Sequence, residues 1–108
     1  MARYSMLVYS NPVEGKEEEY MKWYREVHIP DMCRIPGVVR CTLYKVSDNQ
    51  YGLTQEKYPY SYVNNMEMET DDFMGLLMEM GKRRMSGENV WSDAIDEGPC
   101  VIAEPVIG

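Results

Sequence analysis

Four β-rich runs interleaved with two amphipathic stretches predict an α+β fold of the ferredoxin-like class, β-α-β-β-α-β, with an antiparallel sheet and both helices on one of its faces. Three observations carry this. The runs "RYSMLVY" at 3–9 and "CVIAEPVI" at 100–107 read as strands near the two ends of the chain. Apolar residues recur at helical spacing twice, as Tyr20, Trp23, Tyr24, Val27, His28 and as Phe73, Leu76, Leu77, Met80. Between those stretches lie two more strand-like runs with no helix to separate them. A chain of 108 residues fits a single domain, 1–108, and can bury about two thirds of its unfolded surface.

Each element has its local reason. Apolar residues on both faces of 3–9 indicate a strand covered on both sides. "SNPVEG" then supplies turn residues. The first helix is expected from about Glu14 to His28, with Glu17, Glu18 and Glu19 at the positive end of its macrodipole and Pro30 as its stop. "VVRCTLYKV" at 38–46 is a β-branched strand, and the polar residues 47–57 form a loop. In 58–69 strict alternation puts Tyr58, Tyr60, Tyr62, Asn64, Met66 and Met68 on one side. Thr70 is the expected N-cap of the second helix, and the basic run 82–84 suits its negative end as a solvated terminus. Residues 85–99 read as a long loop with a turn of helix around Trp91 to Ile95, before the last strand at 100–107.

Composition narrows the function classes. The net charge of −7 repels phosphate backbones and acidic membrane surfaces, so neither nucleic acid nor membrane is an expected partner. No run is long and apolar enough for a signal peptide or a membrane span. Cys33, Cys41 and Cys100 are odd in number and widely spaced, which indicates neither a disulfide frame nor a zinc site and points to the cytoplasm. With one histidine and no tight acidic cluster, no metal and no cofactor are expected. The 10 Met and 9 Tyr suit either an adaptable core or the wall of a pocket for an apolar or aromatic molecule. Two helices leave one sheet face bare; because strands one and two carry apolar residues on both faces, that face would be largely apolar, and pairing with a second copy would cover it. The expected assembly is a homodimer enclosing a barrel.

Several segments resemble a known family. The N-P-x-x-G turn at 11–15, the W-Y-x-x-V-H-I-P-D helix end at 23–31 and the P-G-V-V strand entry at 36–39 are similar to the first half of small bacterial EthD-like proteins of the dimeric α+β barrel superfamily, with looser likeness in "YSYVNNMEME" and "MSGENVWSDAID". The resemblance implies the ferredoxin-like dimeric fold and a cavity near the helix-end histidine, between the first helix and the sheet or within the barrel. Superfamily members include cofactor-free monooxygenases, lactone isomerases, polyketide cyclases, dehydratases and haem-degrading enzymes. Only His28 with its neighbours Trp23, Tyr24, Pro30 and Asp31 carries over by position, and with no second histidine a mechanism needing a His pair is excluded. The Met-rich second helix and the Asn64–Asn65 pair depart from the family pattern.

His28 is the leading catalytic candidate, because an imidazole titrating near neutrality serves as general acid or base. Asp31 would orient the ring, and Tyr62 (or Tyr60) would offer a phenol to a developing oxyanion. Trp23, Tyr24, Tyr60, Asn64 and Met66 are the expected substrate-binding residues; Asn64, an amide on a Tyr/Met face, needs hydrogen-bond partners. The favoured function is cofactor-free proton transfer (isomerisation, dehydration or cyclisation) on a small apolar or aromatic molecule. Two alternatives remain open: a cofactor-independent monooxygenase of a phenol, and a non-catalytic binder of small hydrophobic ligands. Structurally, His28 could equally cap the helix or fill the core.

Overall fold

The computed structural model of the protein describes residues 1–51 and 58–108. In chain order these form β1 (Ala2–Pro12), α1 (Glu17–Trp23), a π-helical turn (Tyr24–His28), α2 (Ile29–Cys33), β2 (Val38–Lys45), β3 (Tyr62–Thr70), α3 (Phe73–Met85) and β4 (Ile95–Ala103). The sheet order is β2-β3-β1-β4 with antiparallel neighbours throughout, which is the expected ferredoxin-like arrangement. Part of the expected polar loop, residues 52–57, lies outside the described residues.

The register decides what each face carries. Tyr4 lies opposite Met68, Met6 opposite Met66 and Val8 opposite Asn64, while Cys41 flanks Met66 from β2. This face is the buried one: Cys41, Met66 and Met68 pack with Met32, Ile35 and Leu76 from the helical side. Tyr4 stacks on Phe73 at 4.1 Å between centroids. A second cluster joins Tyr20, Trp23, Tyr24 and Ala94, with Leu43 and Tyr62 against it. At its heart the Ser10 and Tyr20 hydroxyls share a 2.7 Å hydrogen bond between two residues that are both 0% exposed. Buried polar groups are costly when unpaired, and each of these answers the other.

The Met row of β3 therefore lies under the helices. The open face instead mixes charge with apolar residues: Arg3 faces Glu69, Ser5 faces Glu67, Leu7 faces Asn65 and Tyr9 faces Val63. From the flanking strands Tyr44 lies beside Val63 and Val101 beside Leu7, both exposed, so this face carries an apolar group next to its charged residues.

Several boundaries differ from expectation. Pro30 does not stop the first helix; helical structure runs on through Cys33. The π turn makes this possible, because Ile29 N–H bonds the carbonyl of Tyr24, five residues back. That wider turn displaces the carbonyl on which a proline ring would otherwise close, and the missing Pro30 N–H falls in the first turn of α2, where proline is tolerated. The N-cap of α3 is Asp72, whose carboxylate accepts the Gly75 N–H at 2.9 Å, and Thr70 acts one step earlier, its hydroxyl accepting from Asp72 N–H. Residues 91–95 form no helix, since Val13 N–H bonds Ala94 C=O at 2.7 Å and draws that segment alongside the end of β1. β1 accordingly extends to Pro12 and β4 begins at Ile95. Gly98 and Pro99 form a bulge in β4, where a proline's missing donor costs no ladder bond.

Gly37, at the entry to β2, has φ +100°, and a Cβ there would stand 2.6 Å from Leu76 Cδ1. Backbone strain and a core clash act together at this position. Gly37→Ala is expected to lower the unfolding free energy by about 1–3 kcal/mol, measured by urea denaturation, with no change in slope.

Candidate active-site cavity

The site begins with the π turn. Residues five apart on a regular α-helix stand about 140° apart around the axis and do not meet. The extra residue in the turn brings His28 back onto Trp23: the rings stack at 4.5 Å and 21°. Tyr24 meets the imidazole edge-on at 5.3 Å, and Trp91 closes a third side at 5.5 Å and 90°. Trp23 is itself anchored, its indole N–H donating to Val90 C=O at 2.8 Å, which also ties the 86–94 segment to the helix. Arg84 at the end of α3 lays its guanidinium 3.9 Å above the Trp91 ring.

The fourth side of the imidazole is open. His28 lines a cavity of about 380 Å³ between the helices and the sheet, together with Tyr24, Asn64, Met66, Arg84 and Trp91. Met6, Val8 and Cys100 line it from the sheet, and Leu77 and Met80 from α3. The volume falls within the range of about 300–1,000 Å³ usual for small-molecule sites, and its walls are mainly apolar, as such sites require.

Burial first, and then the positive charge of Arg84, push the His28 pKa down from 6.5 to about 4. The ring is therefore neutral at pH 7, with one nitrogen free to accept a proton. Among the described residues no hydrogen bond or ion pair engages the imidazole; aromatic rings alone hold it. Tyr24 contributes its ring to the wall, while its hydroxyl lies against Ser10 and Tyr20, and burial raises its pKa far above that of an ordinary phenol. Asn64 is buried, and its Oδ1 accepts from the Cys41 thiol at 3.2 Å, leaving the amide NH₂ as its donor. Burial pushes that thiol up to about 11 and keeps it protonated. The Cys100 thiol is also raised, by partial burial and by Glu97, which argues against an activated nucleophile.

The expected residues divide into two groups. His28, Tyr24, Asn64 and Met66 meet at the cavity, and Trp23 backs the histidine from behind. Asp31 instead pairs with Arg34 at 2.9 Å, one helical turn on, so its carboxylate is committed away from His28. Tyr62 packs on Tyr20 at 5.3 Å, and Tyr60 lies near Tyr9 and Tyr58 in a separate depression shared with Tyr62. Neither phenol reaches the cavity. Sequence reasoning missed Arg84, Asn89, Trp91 and Cys100. For Arg84 a signal existed, because it continues the stripe of Leu77 and Met80 at i+7 and i+4. Asn89 and Trp91 sit in an irregular segment with no period to reveal them. Among the described residues no group of three or more His, Cys, Asp or Glu side chains is placed to hold a metal ion. No helix there is long and apolar enough to cross a membrane.

A neutral buried histidine couples stability to pH. The unfolded chain takes up its proton near pH 6.5 and the folded chain only near 4, so the folded state is penalised as pH falls through that window and is unaffected above it. Relative to His28→Phe, which keeps an aromatic ring on Trp23, the wild type should lose up to about 3 kcal/mol of unfolding free energy between about pH 7 and pH 4. Parallel denaturation curves for the two proteins would measure it.

No family model and no curated protein matches the chain. Solved structures do. An EthD (ethyl tert-butyl ether D) family protein from Bacillus halodurans superposes with a TM-score of 0.63 at 16% identity, covering 98% of this chain and 100% of that one. A "putative monooxygenase" from Shewanella loihica superposes with a TM-score of 0.63 at 14% identity, covering 99% of this chain and 97% of that one. At such identities the likeness is one of fold, over the whole length of all three chains. This chain shares the antiparallel, ferredoxin-like α+β fold of these two structures.

Proposed function

We propose that the protein is a cofactor-free enzyme that moves a proton on a small, largely apolar or aromatic molecule, with His28 as the base. The observation that carries this reading is a neutral imidazole held by three aromatic rings, with its remaining side on a cavity of about 380 Å³. A base must be unprotonated at working pH and must face the space its substrate would occupy; the low His28 pKa and the place of the ring in the cavity lining support this reading. In the step envisaged, a His28 nitrogen takes a proton from a carbon next to a carbonyl, and the electron pair moves onto the carbonyl oxygen. The Asn64 NH₂ replaces the expected Tyr62 phenol as the donor to that oxygen. Tyr24, Met66 and Trp91 supply the apolar wall, and Trp23 fixes the ring plane. Negative charge developing beside the imidazole raises its basicity as the proton arrives, which offsets its low resting pKa.

A second reading is a cofactor-independent monooxygenase, favoured by the likeness to the Shewanella loihica protein. Oxygen uptake with an anthrone or a quinol would separate the two, since proton transfer alone consumes none. The working form in either reading is a homodimer paired through the open sheet face, where Leu7, Tyr9 and Val63 lie among charged residues and the tail exposes Val106 and Ile107. Its three free thiols fit a cytoplasmic setting.

Once a substrate is found, His28→Ala should reduce kcat/KM by about 10²–10⁴, with the melting temperature measured alongside to exclude unfolding. The acid limb of the wild-type kcat/KM profile should fall near the His28 value of about 4. A limb near 6.5, or turnover within a few-fold of wild type in the variant, would remove His28 from the reaction.

A further inference from the structure

We infer that the cavity is selective for an organic anion, a flat apolar body bearing a carboxylate or phenolate oxygen, with Arg84 as the residue that selects the charge. The inference rests on the cavity being a ligand site, as proposed above, and adds the chemical class of the ligand.

Two adjacent arginines on α3 have different fates. Arg83 is spent on Glu79 at 2.9 Å and Glu88 at 3.4 Å. Arg84 has no ion pair among the described residues; its guanidinium is spread over Trp91 at 3.9 Å and lines the cavity. Asn89, also in the lining, is only 8% exposed, and its Nδ2 finds no acceptor among the described residues. Asn64 has its oxygen occupied by Cys41 and only its NH₂ left to offer. The open polar capacity of the site is thus weighted toward donors. Buried donors and a cation beside an apolar wall are complementary to an acceptor carrying negative charge.

The other titratable groups around His28 are consistent with this. Tyr24 from its own helical run is held protonated, and Cys100 from β4 is held as a thiol, so neither brings charge. Glu97 is the one acidic side chain in the lining; it is exposed and makes no ion pair with Arg84 among the described residues. A carboxylate bound at Arg84 would offset the positive charge that disfavours protonation of His28. Binding should therefore raise the His28 pKa from about 4 and take up a proton over the pH interval of that rise.

The test uses the full chain and two matched probes, 2-naphthoate and the uncharged 2-naphthamide. Calorimetric titrations are run at about pH 5.5 in two buffers of different ionisation enthalpy. The carboxylate is expected to bind about ten-fold or more tightly than the amide, with net proton uptake. Arg84→Gln should erase both the preference and the uptake, and Arg84→Lys should keep part of the preference, since it retains charge without the planar fork. Melting temperatures confirm folding, and His28→Phe separates the two effects by abolishing uptake while keeping the preference. Equal affinity for the two probes, or a preference that survives Arg84→Gln, would overturn selection of an anion while leaving the cavity as a ligand site. Binding of neither probe would remove the ligand site as well.

Discussion

One backbone hydrogen bond governs the site, the one from Ile29 N–H to Tyr24 C=O across five residues. Closing the helix one residue wider at this point does two things at once. It accommodates Pro30 inside a continuing helical run, and it rotates His28 onto the face of Trp23. Had the α-helical register continued, the imidazole would stand on another side of the helix, away from the indole and from the cavity. Single π turns of this kind recur at functional sites because they re-aim one side chain without dissolving the helix around it.

What surrounds the ring sets its chemistry. Three aromatic neighbours remove water from the imidazole without offering a hydrogen bond that would consume its nitrogens. Desolvation then favours the neutral form, and the Arg84 charge on Trp91 pushes the same way. In a sealed core, two effects that each lower basicity would amount to inert packing. In an open cavity they have another consequence: the site is poised to respond to charge introduced by an occupant. Electrostatic interactions are strong in such a poorly solvated space, so one negative oxygen matters more there than at the surface.

The sheet supplies the floor and keeps its two faces distinct. Its helix-facing side carries Met6, Val8, Asn64 and Met66 into the cavity, and its other side carries Arg3, Glu67 and Glu69 toward one end and Leu7, Tyr9 and Val63 toward the other. A register slip of one residue would exchange these two sets, so the long β1–β3 pairing from Ala2–Thr70 to Ser10–Tyr62 protects the site as well as the core. At the far end the Ser10–Tyr20 bond fixes the first helix against β1. The ferredoxin-like scaffold hosts many unrelated chemistries, and what distinguishes this chain is the local constellation around His28.

The sequence alone determined the architecture. Periodicity is a local property, so two stripes at helical spacing and four strand-like runs were enough to order the elements, and His28, Tyr24, Asn64 and Met66 were legible as candidates from residue type and face. The tertiary structure decided what depends on contacts distant in sequence. Proximity along the chain pairs Asp31 with His28, but the helix continuing past Pro30 gives it to Arg34. Tyr60 and Tyr62 share alternation with Asn64 and Met66, yet Tyr62 opens β3 packed on Tyr20 and Tyr60 lies just before the strand, both outside the cavity lining. Trp91 and Arg84 entered the site because an irregular segment folds back across α3 and is fastened by Trp23 to Val90. Period and composition report which face a residue takes on its own element; which elements meet, and where along their length, is set by packing in three dimensions.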